Sequence, residues 1–210
     1  MPISPKFKTM KTPFFFFLML GFFQNLSSQQ IISNFQENQT ISWGSVSAQG
    51  PSFGFYGQEF VFPENVEINA VSVYIFDHAD HDETKASINY TIWSFDEKPV
   101  AEIFSSEAVQ VTSNEIKGWK TYTFKKPLKL EKGKYLFGVG QPAIQGFVAF
   151  GDGIAKEGYK SNFWCMMSIE GFSDGKNWFN ILELMELAGV PEEDRKKLEQ
   201  AVVMMKIEYK

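Results

Sequence analysis

Cysteine and histidine are scarce in this chain of 210 residues, which contains one cysteine and two histidines. A single cysteine, Cys165, excludes an intrachain disulfide, so the hydrophobic core must stabilise the fold by itself. Alternation within Asn162–Ile169 predicts that this thiol is buried. Both histidines lie in one short segment, so the histidine of a Ser-His-Asp or Cys-His catalytic site would have to come from that segment. The sequence motif of a nucleophile elbow does not accompany them. No catalytic residue is predicted, and a binding or structural role is favoured over an enzymatic one.

Positive charge is not in excess either. The chain has 20 Lys and Arg residues against 25 Asp and Glu residues, which gives a formal net charge of −5. Domains that bind nucleic acid carry a basic face that displaces counterions, so nucleic acid is not expected as a partner. The glycine-rich stretch Gly44–Gly57 lacks the lysine of a phosphate-binding loop, and it predicts a flexible loop rather than a nucleotide site.

Long hydrophobic runs are also lacking, with one exception near the N-terminus. Pro13–Phe23 is an apolar run of 11 residues, whereas a helix needs about 20 to cross a bilayer. Lysines precede this run and small polar residues follow it, which is the order found in a secretory signal peptide. Residues 1–29 are therefore expected to form a signal helix that is cleaved near residues 28–30. The mature chain, 30–210, is expected to be secreted or periplasmic, and not an integral membrane protein once processed.

Most of the mature chain has the pattern of an all-β protein. Short runs rich in Val, Ile, Phe, Tyr and Thr are separated by Gly, Pro, Asn and Asp. Ala70–Phe76 and Ser87–Phe95 alternate most clearly, and in the second run Ile88 and Ile92 share one face while Trp93 lies on the other. Half-buried strands at this spacing predict a β-sandwich of two packed antiparallel sheets. The other strands predicted in this part are Gln58–Phe62, Glu102–Ser105, Lys120–Phe124, Lys134–Val139, Phe147–Phe150 and Asn162–Ile169.

The C-terminal part changes from the period of a strand to that of a helix. Phe179–Ala188 has apolar residues at helical spacing and ends before Gly189, a residue that favours helix termination. Pro191–Gln200 begins with acidic residues and continues with basic ones, as the helix dipole favours. Ala201–Tyr209 alternates again and predicts a last strand that closes one sheet. The expectation is a single domain over residues 30–210 with a helical insertion at about 179–200 before the last strand.

Two segments carry a resemblance to a known class of domain. Lys126–Phe137 (KPLKLEKGKYLF) has the pattern of a hairpin, and Ser173–Trp178 (SDGKNW) that of a late turn. Together with the tryptophan-containing strand Ser87–Phe95, they make the chain between Gln58 and Tyr209 similar to exported jelly-roll domains of the galactose-binding-like type. The resemblance implies a jelly-roll sandwich that serves as a carbohydrate-binding or adhesive module. The helical insertion and the lack of an attached catalytic domain depart from that class.

Three functional hypotheses follow from these patterns. The first is an exported non-catalytic binding module that recognises a carbohydrate or a cell-surface ligand. The second is a structural or adhesive surface component that binds protein or packs into an assembly. The third is a small extracellular enzyme acting on polysaccharide, because glycosidic cleavage needs only two carboxylates about 5–10 Å apart.

The segment Asp77–Glu83 (DHADHDE) is the densest group of metal-binding residue types, and it contains both histidines. Carboxylates with backbone carbonyls suit Ca²⁺, and imidazole with carboxylate suits a transition metal. The spacing is not that of an EF-hand, and a solvated acidic loop explains the same residues without any metal. The candidate metal ligands are Asp77, His78, Asp80, His81 and Asp82.

Aromatic residues supply the second candidate site, since the chain has five tryptophans and seven tyrosines. A flat ring with a polar edge can stack on the apolar face of a sugar. Trp93 faces away from the apolar stripe of its strand, with Asn89 on the same face, and Trp119 lies in an expected loop. Asp152 lies in the triplet Gly151–Gly153 at an expected sheet end. These four residues are the candidate ligand contacts; the alternatives are core positions for the tryptophans and a tight turn for the triplet.

Overall fold

The structure is a computed structural model that describes residues 28–40, 54–77, 86–111, 118–141, 149–150, 152–157, 159, 163–169, 173–174 and 176–210. The predicted signal peptide lies outside these residues except for its last two. The strands are β1 (Gln30–Ser33), β2 (Phe35–Thr40), β3 (Gly54–Phe62), β4 (Val66–Asp77), β5 (Ala86–Asp96), β6 (Lys98–Ser105), β7 (Val109–Val111), β8 (Gly118–Leu130), β9 (Gly133–Gln141), β10 (Ala149–Phe150), β11 (Asp152–Ala155), β12 (Phe163–Ile169), β13 (Ser173–Asp174), β14 (Phe179–Asn180), β15 (Ala201–Val203) and β16 (Met205–Tyr209). The helices are α1 (Ile181–Leu187) and α2 (Glu192–Leu198).

The all-β prediction is confirmed. Strands dominate the described residues, and each pairing between them is antiparallel. Neither helix in this part of the chain is long and apolar enough to cross a membrane.

The first sheet is built around the long strand β4. Strands β1, β16, β4 and β8 lie side by side in that order, and β10 pairs with the end of β4. A small sheet of β15, β11 and β2 continues from the first, because β1 leads into β2 and β15 leads into β16. Asn34 lies at this junction, fully buried: its Nδ2 donates to the Val203 carbonyl (2.8 Å) and its Oδ1 accepts from the Met205 amide (3.0 Å).

The second sheet has the order β13–β12–β3–β9–β5–β6, with β14 also paired to β12 and β7 to β5. It packs face to face on the first sheet across one hydrophobic core. Phe62 of β3 contacts Tyr209 of β16 with 5.5 Å between ring centroids. The hydroxyl of Tyr90, on β5, donates to the Lys120 carbonyl on β8 (2.7 Å). Contacts of this kind between the two sheets confirm a sandwich-like architecture.

The alternation in the two clearest strands is confirmed by burial. Val73 and Ile75 of β4, and Ile88 and Ile92 of β5, are buried in the core that the two sheets share. An apolar side chain that alternates with polar ones can be buried on one face only, so this pattern defines the inner face of each strand before its partner is known.

The hairpin expected over Lys126–Phe137 is wrong. β8 pairs with β4 in the first sheet, whereas β9 pairs with β3 and β5 in the second, so the chain crosses between the sheets at Glu131 and Lys132. The turn between β3 and β4 also passes from one sheet to the other. The Lys132 amide donates a hydrogen bond to Asn65 Oδ1 (2.9 Å), so the two connections between the sheets are bonded to each other. A polar turn between two alternating strands is compatible with both geometries, so the local sequence does not distinguish them.

Two further expectations need correction. The last strand does not close a sheet, because β16 lies between β1 and β4, and it is separated from β15 at Met204. The tight turn that was the alternative for Gly151–Gly153 does not extend over Asp152 and Gly153, because these two residues belong to β11 and pair with Val203 and Val202. The pairing partner of Asp152–Gly153 is some fifty residues away, beyond the range of a local turn signal.

The helical insertion is confirmed close to its predicted bounds. Asn180 caps α1, since its Oδ1 accepts from the Leu182 amide (2.9 Å). Gly189 follows α1 with φ of 72°, a left-handed conformation that favours glycine. Pro191, predicted as the first helical residue, is instead the N-terminal cap of α2, so the helix begins one position later, at Glu192.

Candidate functional site

The outer face of the second sheet carries three tryptophans. Because Ile88, Tyr90 and Ile92 of β5 point into the core, Asn89 and Trp93 lie on the opposite face. Trp164 of β12 and Trp178, directly before β14, come to the same face. The structure therefore brings one predicted ligand residue, Trp93, together with two tryptophans that were not predicted, while Asn89 shares their face of the sheet.

The aromatic rings on this face form edge-to-face pairs. Trp93 and Trp178 have centroids 5.8 Å apart and an interplanar angle of 76°. Phe95 and Trp164 have centroids 5.4 Å apart and an angle of 75°. Each such pair is worth ~0.5–1.5 kcal/mol beyond the area that it buries. In the unliganded protein these rings are therefore packed against one another.

Gly138 of β9 makes room for Trp178. A Cβ at this glycine would lie 2.7 Å from Thr91 Oγ1 and 3.3 Å from the Trp178 ring. Any larger residue would push Trp178 away from the sheet. The close approach of the indole to the strand therefore depends on the missing side chain.

Trp164 is fixed by a charged pair at its other edge. Its Nε1 donates to Glu59 Oε1 (2.8 Å), and Glu59 Oε2 lies 3.4 Å from Lys134 Nζ. The same Lys134 ammonium lies 4.9 Å from the centroid of Phe95. Hydrogen bond, ion pair and cation–π contact together hold the ring of Trp164 as one wall of the site.

An open groove of about 610 Å³ runs over these rings. Glu97, in the turn between β5 and β6, has φ of 60°, which places an ordinary side chain in the left-handed region. Such a conformation costs ~1–3 kcal/mol and is concentrated at binding and catalytic sites. The groove is lined by Trp93, Glu97, Lys98, Pro99, Val100, Trp164, Lys176, Asn177, Trp178, Phe179 and Glu183.

Several buried polar atoms on this face find no hydrogen-bond partner among the described residues. They are Asn89 Oδ1, Thr91 Oγ1, Trp93 Nε1 and Trp178 Nε1. The amide nitrogen of Asn89 is satisfied, since it donates to the Ser106 carbonyl (3.0 Å). Each buried polar atom without a partner costs ~1–3 kcal/mol. Four of them on one face mark a polar region of the sheet whose hydrogen bonds the described residues do not complete.

Trp119 lies away from this groove, on the outer face of the first sheet. It belongs to β8 and pairs with Tyr74, whose neighbours Val73 and Ile75 point into the core. Its ring packs against Phe35 and Tyr74 with centroids 5.4 Å away in both cases. Lys206 Nζ lies 4.4 Å from its centroid. The structure therefore does not bring Trp119 and Trp93 together, because the core of the sandwich separates them.

The metal ligands predicted from the sequence fall mostly outside the described residues. His78, Asp80, His81 and Asp82 lie there, and for Asp77 only the backbone, at the end of β4, is described. Asp152 is likewise described by its backbone alone, which pairs with Val203. In the described part of the chain no cluster of three or more His, Cys, Asp and Glu residues is placed to hold a metal ion. These metal and ligand assignments stay predictions.

Cys165 is buried, as the alternation of its strand predicts. Burial raises the pKa of its thiol to about 12. Since the reactive form of cysteine is the thiolate, this side chain is inert at neutral pH. It lies on the inner face of β12, so it faces away from the groove that Trp164 lines.

Sequence reasoning missed Trp164 and Trp178 for different reasons. Alternation puts Trp164 opposite Cys165, so the prediction of an inward thiol already implied an outward indole. Trp178 gives no such signal, because it lies outside the strands and reaches Trp93 only through the fold. Comparison of the chain with protein-family models, with curated protein sequences and with solved structures finds no match.

Proposed function

We propose that this chain is an exported, non-catalytic binding module of the jelly-roll type, which recognises a carbohydrate in the groove lined by Trp93, Trp164 and Trp178. The strand order supports the fold. Two sets of four strands, β1–β16–β4–β8 and β3–β9–β5–β6, are joined by a chain that passes repeatedly from one sheet to the other. This arrangement supports the proposal, because a jelly roll has eight strands in two sheets. In this description β10 to β15 and both helices are the insertion before the last strand.

The observation that carries the proposal is the gathering of three tryptophans along one open groove. Indole rings offer flat apolar faces to the C–H faces of a sugar, and their edges are polar. Exposed polar side chains at the rim, among them Asn177 and Lys98, supply hydrogen-bonding groups for hydroxyls. An open groove suits one stretch of a longer glycan better than an enclosed small molecule.

Binding to a glycan array by the mature chain, residues 30–210, tests the proposal. Trp93→Ala should then weaken the binding of an array hit by about tenfold or more, because one stacked ring is worth ~1.4 kcal/mol. Trp119→Ala is the matched control, since it also removes an outward indole but on the opposite face of the sandwich. Affinity is measured by isothermal titration calorimetry.

The outcome of this pair of variants also decides between the two faces. Loss of binding with Trp119→Ala and not with Trp93→Ala would move the site to the first sheet. A folded mature chain that binds no glycan on the array would refute the carbohydrate proposal. Export is tested separately: expression of the full chain in a secreting host should give a mature N-terminus at residues 28–30, read by mass spectrometry.

A second candidate function, an adhesive or assembly component, is favoured by strand β6. This strand pairs with β5 along one edge, and within the described residues no strand pairs with its other edge. Val100 and Ile103 of β6 are 61% and 42% exposed. An exposed apolar edge strand can pair with another chain. Self-association measured by light scattering over a range of concentrations, and its loss in Ile103→Lys, would favour this function over glycan binding.

A further inference from the structure

Asn89, Thr91 and Trp93 are outward side chains of β5, and the Trp178 ring packs on Trp93 and lies close to Thr91 over Gly138. We define these four residues as the polar row. Each of the four has a buried polar atom that lacks a partner in the described part of the chain. Thr91 is 3% exposed, so its hydroxyl cannot be satisfied by bulk water. Trp178 packs edge-on against Trp93 and approaches the strand over Gly138.

The chemistry of the polar row is mixed. Each indole N–H only donates a hydrogen bond, the free oxygen of Asn89 only accepts one, and the Thr91 hydroxyl does both. A carboxylate or sulfate group accepts only, and an ammonium group donates only, so each leaves part of the row unpaired. A hydroxyl group donates and accepts. The hydroxyls of a glycan therefore match this row in hydrogen-bonding type, and a charged group does not.

The charges at the rim of the groove also favour a neutral ligand. Among the described residues that line the groove, Glu97 and Glu183 are balanced by Lys98 and Lys176, so the rim that these residues form has no net formal charge. A site for a polyanionic or polycationic glycan would need an excess of the opposite sign to offset the desolvation of the ligand's charges. This rim provides none.

We infer that the groove takes a neutral glycan, and that the polar row binds sugar hydroxyls beneath Trp178. This inference rests on the proposed function and adds the class of ligand. Entry requires the Trp178 ring to move outward. Residues 176–178 lie outside the strands, so this movement breaks no pairing between β5 and β9.

Calorimetry on the mature chain with hexasaccharides of three charge classes tests the inference. The neutral probes are hexamers of glucose, mannose, galactose and N-acetylglucosamine; the anionic probe is hexagalacturonate and the cationic probe is the chitosan hexamer. At least one neutral hexamer should bind, with an affinity that does not change with salt. Both charged hexamers should bind at least tenfold more weakly. This comparison needs no variant, so a folding defect cannot obscure it.

Thr91→Val removes the hydroxyl and keeps the shape of the side chain. We expect it to weaken binding of the neutral hexamer by about tenfold without lowering the melting temperature, because the hydroxyl gains no partner among the described residues in the unliganded protein. Thr91→Ser keeps the hydroxyl and should keep the binding. Thr123→Val is the matched control: Thr123 is an exposed threonine of β8 in the other sheet, and its replacement should change nothing.

The outcomes separate this inference from the proposed function. If hexagalacturonate or the chitosan hexamer bound tightly and in a salt-dependent way, and Trp93→Ala weakened that binding, the inference of a neutral ligand would be wrong. The proposal of a glycan site in this groove would still be supported. Binding by Thr91→Val equal to that of the unaltered chain would overturn the role of the polar row. If no hexamer bound and the glycan array were also empty, the proposed function would fail and the inference with it.

Discussion

Replacing Asn34 by alanine should destabilise the fold far more than its position between two short strands suggests. Asn34 is fully buried and its side chain makes two hydrogen bonds to the backbone, with Val203 and Met205. Alanine leaves both backbone groups without these bonds, and each buried unpaired group costs ~1–3 kcal/mol. The expected loss is therefore about 2–6 kcal/mol, a large part of the ~5–15 kcal/mol that stabilises a typical domain.

Urea denaturation followed by tryptophan fluorescence and far-ultraviolet circular dichroism measures this loss. With a slope of ~2 kcal/mol per molar urea, the midpoint should fall by about 1–3 M. Asn65→Ala is the matched control, because Asn65 is exposed and its side chain accepts one backbone hydrogen bond, from the Lys132 amide. A midpoint for Asn34→Ala that falls no further than that of Asn65→Ala would refute the reasoning. The junction between the first sheet and the small sheet of β15, β11 and β2 would then not depend on the Asn34 side chain.

Three further outcomes are expected. The Cys165 thiol, with a pKa raised to about 12, should not react with a maleimide at pH 7.5 until denaturant unfolds the chain. Burial raises the pKa of Tyr159 from 10.0 to about 12, so as the pH rises the hydroxyl loses its proton in the unfolded chain before it does in the folded chain. The free energy of unfolding should therefore fall between pH 10 and 12, which urea titration at each pH measures. Gly140→Ala should lower stability by ~1–3 kcal/mol, because its Cβ would lie 2.5 Å from the Gly54 carbonyl oxygen. Gly133→Ala, whose Cβ meets only Tyr135 at 3.6 Å, should leave the stability nearly unchanged. Thermal denaturation of both glycine variants measures this difference.

Strand faces could be predicted from the sequence, and strand partners could not. Alternation assigned Ile88 and Ile92 to the core and Trp93 to the opposite face, because burial of one face requires only a period of two. The same local pattern suggested a hairpin over Lys126–Phe137. The two strands of that segment in fact belong to different sheets, and their partners β4 and β3 are distant in the chain.

The candidate site shows the same division. Asn89 and Trp93 share a strand face, so their proximity was predictable from spacing. Trp178 reaches Trp93 from a segment about 85 residues later, since the insertion adds β12 beside β3 and β14 beside β12. No local sequence pattern predicts a contact between residues so far apart in the chain. The burial of the four polar atoms without a partner among the described residues likewise follows only from the tertiary structure.

By itself the sequence determined the class of the fold, the inner face of its main strands, the helical insertion and the absence of an intrachain disulfide. These follow from composition, from periods of two and 3.6, and from the single Cys165. Only the tertiary structure decided that Trp93 and Trp119 lie on opposite faces of the sandwich, and that Trp93 shares its groove with Trp164 and Trp178. The physical reason is that burial selects the face of a strand locally, whereas the neighbours on that face are selected by the packing of distant segments.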